Sequence, residues 1–122
     1  MDAPASSRDT ALAAARCIDA HKGEETVVLA LGEVSPVADY FVITTARSST
    51  HLASLARELF QLLREQGVRP LNRHRRSVAS GWMLVDCGDV IVHLMEKEQR
   101  EFYELERLWF KAERVAYSSK SS

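Results

Sequence analysis

Between Trp82 and His93 the chain places two aspartates, a histidine and a tryptophan within twelve residues, and each residue type has chemistry open to it. Asp86 and Asp89 flank Cys87-Gly88, so their carboxylates could share a divalent cation, or one could act as a general base. A competing structural role is simpler, because an aspartate in a tight turn commonly accepts hydrogen bonds from neighbouring backbone amides. His93 stands between Val92 and Leu94, where a hydrogen-bonded structural histidine is the default reading. His21, His51 and His74 are scattered without metal-ligand spacing. No catalytic residue, metal ligand or cofactor is therefore assigned. Trp82 is either a core tryptophan or an interface anchor, since an indole brings much contact area at modest entropic cost.

Other chemistries find little support. The five glycines are dispersed and form neither a P-loop nor a dinucleotide fingerprint. There is no Gly-flanked serine elbow and no Cys-His pairing that spacing alone would support. Cys17 and Cys87 lack metal spacing and read as free thiols in a reducing compartment. The net charge of -1 excludes a globally basic nucleic-acid binder. Between Glu65 and Asp86, however, no acidic residue occurs, and Arg69, Arg73, His74, Arg75 and Arg76 lie in that gap. Such a cluster is either a solvated surface or a phosphate-contacting patch, because guanidinium forks pair bidentately with phosphate oxygens.

The elements that must carry these residues follow from length and pattern. A chain of 122 residues, 46% apolar and 27% charged, fits one soluble globular domain. No apolar run approaches the roughly 20 residues of a membrane helix. The start, MDAPASSRDT, lacks a basic-then-apolar leader pattern, and a cytoplasmic location is expected. An ordered core over about residues 6–115 with flexible ends is expected from the low-complexity termini.

An Ala-rich helix is predicted from a Ser6 or Ser7 cap to Lys22-Gly23. Thr26 to Leu31 and Tyr40 to Thr45 are apolar, β-branched runs that read as buried strands. Leu52, Leu55, Ala56, Leu59, Leu62 and Leu63 make one face of a helix capped by Ser48-Ser49-Thr50 and ended by Gly67. A short strand around Val68 to Leu71 is possible, but Pro70 has no N–H for a central ladder and confines it to an edge. The hairpin strands are predicted at Trp82 to Asp86 and Val90 to Met95, with Trp82, Leu84 and Asp86 on one side and Met83 and Val85 on the other. A last helix begins near Glu98, with Phe102, Leu105, Leu108 and Trp109 as its apolar stripe. This order predicts an α/β single domain, a mixed β-sheet with flanking helices.

At Trp82 to Trp109 the residues carry more than an outline of a fold. Trp82, Leu84, Asp86, Gly88, Asp89, Val90, Ile91, Val92 and His93 are followed by Arg100, Phe102, Tyr103, Leu105, Glu106, Leu108 and Trp109. This ordered set resembles the signature of the ribosomal silencing factor family, also called RsfS or Iojap-like. Ala38-Asp39-Tyr40-Phe41-Val42-Ile43 and Ser48-Ser49-Thr50-His51 match its second segment, so the similarity spans about Thr26 to Trp109. The chain departs from the family pattern at Ala30, Ala46 and Cys87, and at His74-Arg75, where the family usually carries Glu-Gly.

The resemblance implies a nucleotidyltransferase-like fold without its catalytic residues, since Thr44-Thr45-Ala46-Arg47 stands where active transferases carry glycine-serine and paired carboxylates. It also implies a non-enzymatic factor that binds the large ribosomal subunit through its fourteenth ribosomal protein. Such a factor blocks joining of the small subunit and lowers translation when nutrients are scarce. A homodimer is implied for the free protein. On that reading Trp82 and Met83 supply apolar anchoring, Asp86 and Asp89 hold the turn or pair with basic groups, and Arg100 and Tyr103 supply or order polar contacts. Arg73, Arg75 and Arg76 are candidate contacts to ribosomal RNA. The alternative is a metal- and nucleotide-dependent transferase that uses Asp86 and Asp89 as ligands.

Overall fold

A computed structural model describes residues 6–32, 38–71, 81–103 and 113–117, the side chains of Phe102 and Tyr103 excepted. Helix α1 (Ser7–Ala20) begins where Ser6 Oγ accepts the Asp9 N–H at 3.1 Å, and Asp9 adds negative charge to the first turn. Its alanines keep it thin: Ala11, Ala14, Ala15 and Ile18 are at most 1% exposed. Helix α2 (Ser49–Glu65) is capped by Ser48, whose Oγ accepts the His51 N–H at 3.1 Å. Leu52, Leu55, Ala56, Leu59 and Leu63 are buried as their spacing predicts, while Leu62 is only partly covered. Each fully buried leucine contributes roughly 1.5–3 kcal/mol, so this stripe holds the helix in place more firmly than its intrinsic propensity does.

Strands β1 (Glu24–Ala30), β2 (Tyr40–Ala46), β3 (Trp82–Asp86), β4 (Val90–Glu96) and β5 (Glu113–Arg114) form one mixed sheet in the order β3-β4-β2-β1-β5. The β2–β4 pair is parallel and the other three pairings are antiparallel. The architecture is thus an α/β single domain, as expected. Helix α3, described over Lys97–Tyr103, follows β4 directly, and Leu105, Leu108 and Trp109 of its expected apolar stripe lie outside the described residues.

Strand alternation sorts the apolar side chains onto two faces. Val28, Val42, Ala46, Met83, Val85, Val90, Val92 and Leu94 join α1 and α2 in the larger core. Leu29, Leu31, Phe41, Ile43, Ile91 and Met95 form a second cluster on the opposite face, with Trp82 packed against it. Where α1 runs into β1 the backbone passes so close to its neighbours that only glycine fits. A Cβ on Gly23 would lie 2.5 Å from Ile18 Cγ2 and 2.6 Å from Thr44 Oγ1.

One expectation is corrected, and one strand was not foreseen. Residues 68–71 do not form a strand; the segment makes one ladder-like bond, Leu71 N–H to the Asp86 carbonyl at 2.7 Å, and Pro70 has no donor with which to extend it. On the far edge, β5 pairs with Leu29 and Ala30 although its two residues carry no strand pattern.

Candidate partner-binding face

The hairpin register positions the site. Cys87 N–H donates to the Val90 carbonyl at 2.9 Å, and Asp86 Oδ1 accepts the Gly88 N–H at 2.8 Å. Gly88 takes φ +90°, a backbone conformation open mainly to glycine. The turn is also tied to β2, because the Asp89 carbonyl accepts the Asp39 and Tyr40 amides at 2.8 and 3.1 Å. Asp86 therefore shapes the turn, as the structural reading of the sequence expects, and the Asp89 side chain is exposed. Burial and the adjacent Asp86 carboxylate push the Cys87 thiol up to about 11, so it stays protonated.

From this turn, pairing runs Asp86 to Ile91, Leu84 to His93 and Trp82 to Met95. Trp82, Leu84 and His93 consequently share the face opposite α1 and α2. The Trp82 indole is partly buried, and its Nε1–H donates to His93 Nδ1 at 3.3 Å. Leu84, two residues on, is 37% exposed on β3, the outermost strand of the sheet among the described residues. His93 is 4% exposed, and burial lowers its pKa to about 4, so the ring is neutral at physiological pH. Its position was legible as a strand histidine, but its bond to Trp82 is a diagonal cross-strand contact visible only once the register is known.

The structure does not bring all the expected residues to this face. Met83 is 7% exposed and belongs to the core beneath the helices, because strand alternation points it away from Trp82. Arg100 is 8% exposed; its Nη1 donates to Thr45 Oγ1 at 2.9 Å and to the Glu24 carbonyl at 3.4 Å, which fastens α3 to β1 and β2. Arg100 thus orders the scaffold. Tyr103 is the last residue of α3, and its side chain lies outside the described residues, as do Arg73, Arg75 and Arg76. Sequence reading gave Leu84 no role in the site, although an apolar residue on the outward side of an edge strand was the available signal.

The structure also juxtaposes a cysteine, a histidine and a glutamate that sequence reading did not single out. Cys17 Sγ lies 3.9 Å from His21 Nδ1, and His21 Nε2 lies 3.5 Å from Glu58 Oε1. Cys17 lies in the last turn of α1 and His21 at its C-cap, four residues on, so the helix brings together a pair that spacing alone did not assign. The order resembles a nucleophile, base and orienting carboxylate, but the hydrogen bonds oppose that use. His21 Nδ1 is 2.8 Å from the Cys17 carbonyl, so it must donate there and cannot accept the thiol proton. Burial, then Glu58 and Glu65, raise the Cys17 pKa, which disfavours a thiolate.

Where β1 and β2 lie side by side, the Thr44 and Thr26 hydroxyls bond each other at 2.8 Å in the interior. Among the described residues no group of three or more His, Cys, Asp or Glu side chains is placed to hold a metal ion, and no helix is long and apolar enough to cross a membrane.

Comparison with known proteins identifies the family of the chain. The sequence model of the family described as "Ribosomal silencing factor during starvation" matches residues 4–122. The chain is 37% identical over 98 residues to the ribosomal silencing factor RsfS of Bacillus subtilis, covering 80% of this chain and 81% of that one. A mouse protein named "Mitochondrial assembly of ribosomal large subunit protein 1" is 38% identical over 73 residues, which cover 58% of this chain and 32% of that one. Among solved structures, a protein from Bacillus halodurans superposes with a TM-score of 0.71 at 31% identity, covering 85% of this chain and 93% of that one. A second, from Chromobacterium violaceum, reaches a TM-score of 0.80 over 97% of both chains and, at 24% identity, speaks for the fold alone. With a family match across nearly the whole sequence, the chain belongs to the ribosomal silencing factor (RsfS) family.

Proposed function

We propose that this protein is a translational silencing factor that binds the large ribosomal subunit through the Trp82 face of its hairpin and sterically blocks joining of the small subunit. The observation that carries the proposal is the pairing of a partly buried, hydrogen-bonded Trp82 with the exposed Leu84 on an edge strand, in a chain of this family. Aromatic anchors fixed at the rim of a packed core are the usual hot spots of interfaces, and a surface that competes for an intersubunit contact needs no chemistry. Family membership supports a role at the ribosome, and the name of the mouse relative points toward the large subunit. On this reading the partner is the fourteenth protein of that subunit, the place of action is the cytoplasm, and Arg73, Arg75 and Arg76 add contacts to ribosomal RNA. The β3 edge also offers a route to a homodimer in the free state, which concentration-dependent mass in sedimentation would reveal.

The test is co-sedimentation with purified large subunits, together with a subunit-joining assay. Trp82→Ala should weaken binding by about 2 kcal/mol or more and restore joining. Unchanged co-migration of folded Trp82→Ala protein would remove this face from the site.

A further inference from the structure

We infer that His93 is a positioning residue for partner binding: its Nδ1 holds the Trp82 indole in the orientation that the partner meets, and it does so at the expense of its own other nitrogen. The inference rests on the reading of Trp82 as an anchor. Trp82 Nε1–H donates to His93 Nδ1 at 3.3 Å, so the proton of the neutral ring must sit on Nε2. That Nε2 is buried and has no hydrogen-bond partner among the described residues. A buried donor without an acceptor is destabilising, and an apolar ring of the same size would avoid the penalty. The fold keeps a histidine here all the same, and its one engaged ring nitrogen is the one that meets Trp82.

The geometry around the ring makes it a firm support. Phe41 meets His93 edge to face with centroids 4.7 Å apart and planes at 67°, while Trp82 lies on another side at 5.9 Å and 42°. His93 pairs with Leu84 across the hairpin, so its backbone is fixed by the same ladder that carries Trp82. A phenylalanine here would preserve the packing but remove the acceptor of the indole N–H, one of the contacts that set how the indole is turned. Fixing a side chain before binding removes the ordering cost that association would otherwise carry.

The experiment compares His93→Phe, which removes the acceptor, with His93→Asn, whose side-chain oxygen can stand where Nδ1 stands. The indole N–H of Trp82 is followed by 15N-correlated NMR, identified by its disappearance in Trp82→Ala, and binding to purified large ribosomal subunits is measured alongside. In folded His93→Phe the indole resonance should move upfield in the proton dimension and exchange faster with solvent. Subunit binding should weaken roughly two- to tenfold. His93→Asn should restore both readouts toward those of the parent protein, which a merely structural role would not predict. If His93→Phe does not fold, His93→Gln, whose oxygen sits nearer the place of Nε2, serves the same comparison. An unchanged indole resonance, or unchanged affinity in a variant whose indole has moved, overturns the inference while Trp82→Ala still weakens binding. Parent protein that fails to bind large subunits overturns the proposed function instead, and the inference about binding with it.

Discussion

Phe41 presents itself edge to face to His93, and the two strands that carry them run parallel, with Phe41 in register with Ile91 and Ile43 with His93. This contact helps to enclose the imidazole, and enclosure lowers its pKa from 6.5 to about 4. In the unfolded chain the ring regains the ordinary value, so between those two pH values the unfolded state binds the extra proton. The contribution to stability is therefore fully present above about pH 6.5, is lost as pH falls toward 4, and amounts to about 3 kcal/mol at most. Urea unfolding at pH 7, 5.5 and 4.5 checks it against His93→Phe, which should lack this component of the pH dependence while sharing the carboxylate titrations. Parallel curves for the two proteins would show that burial does not perturb the ring.

At the hairpin turn, Asp86 Oδ1 accepts from Gly88 N–H while the Asp86 carbonyl accepts from Leu71 N–H. One residue thus closes the turn with its side chain and anchors the incoming segment with its backbone. Asp86→Asn keeps an oxygen for the Gly88 amide and should be nearly neutral, whereas Asp86→Ala should cost about 1 kcal/mol. Gly88→Ala, forced into φ +90°, should cost about 1–2 kcal/mol. Denaturant midpoints for the three variants measure the order. A metal-binding role would instead predict that Asp86→Asn abolishes a stabilisation by added divalent ions.

What could be read in the sequence and what could not divide along the range of the interactions. The α2 stripe, both serine caps and the hairpin turn are local patterns, and Leu52, Ser48 and Gly88 stand where the patterns place them. β5 escaped because Glu113 and Arg114 are strand only by virtue of Leu29 and Ala30 across from them. The expected strand at 68–71 failed for the converse reason: its apolar residues suit a strand, but Pro70 has no donor and Leu71 makes the bond available. For the site, Trp82 was legible as an aromatic at the start of a strand, next to the arginine-rich stretch. Its hydrogen bond to His93 depends on a register set by Asp86 and Gly88, and the burial of Met83 depends on which face the helices cover.

Leu84 separates binding from stability more cleanly than Trp82 does. It is 37% exposed on the outward side of β3, whereas Trp82 is packed against the second core cluster, so truncating the tryptophan affects folding as well. Leu84→Thr introduces a β-branched side chain suited to an edge strand and should change stability by no more than about 0.5 kcal/mol. If the Trp82 face docks on the large subunit, the same change should weaken binding by about 1 kcal/mol, because leucine beside an indole excludes water from the anchor. Urea unfolding and subunit co-sedimentation of the one variant give both numbers. Equal affinity would move the docking surface off this strand.

The basic stretch makes a prediction of a different kind, because charge acts through salt. Arg69 is exposed beyond the end of α2, and Arg73, His74, Arg75 and Arg76 continue the run with no acidic residue until Asp86. If these guanidiniums pair with RNA phosphates on the subunit, binding releases counterions and the logarithm of affinity falls linearly with the logarithm of salt concentration. Replacing Arg73, Arg75 and Arg76 together by glutamine should then flatten that slope by roughly one unit for each phosphate no longer neutralised. Leu84→Thr should lower affinity at every salt concentration and leave the slope as it was. Titrations of both variants against large subunits between low and physiological salt therefore distinguish an RNA-binding loop from a protein-binding hairpin. A triple replacement with an unaltered slope would assign the arginines to solvent.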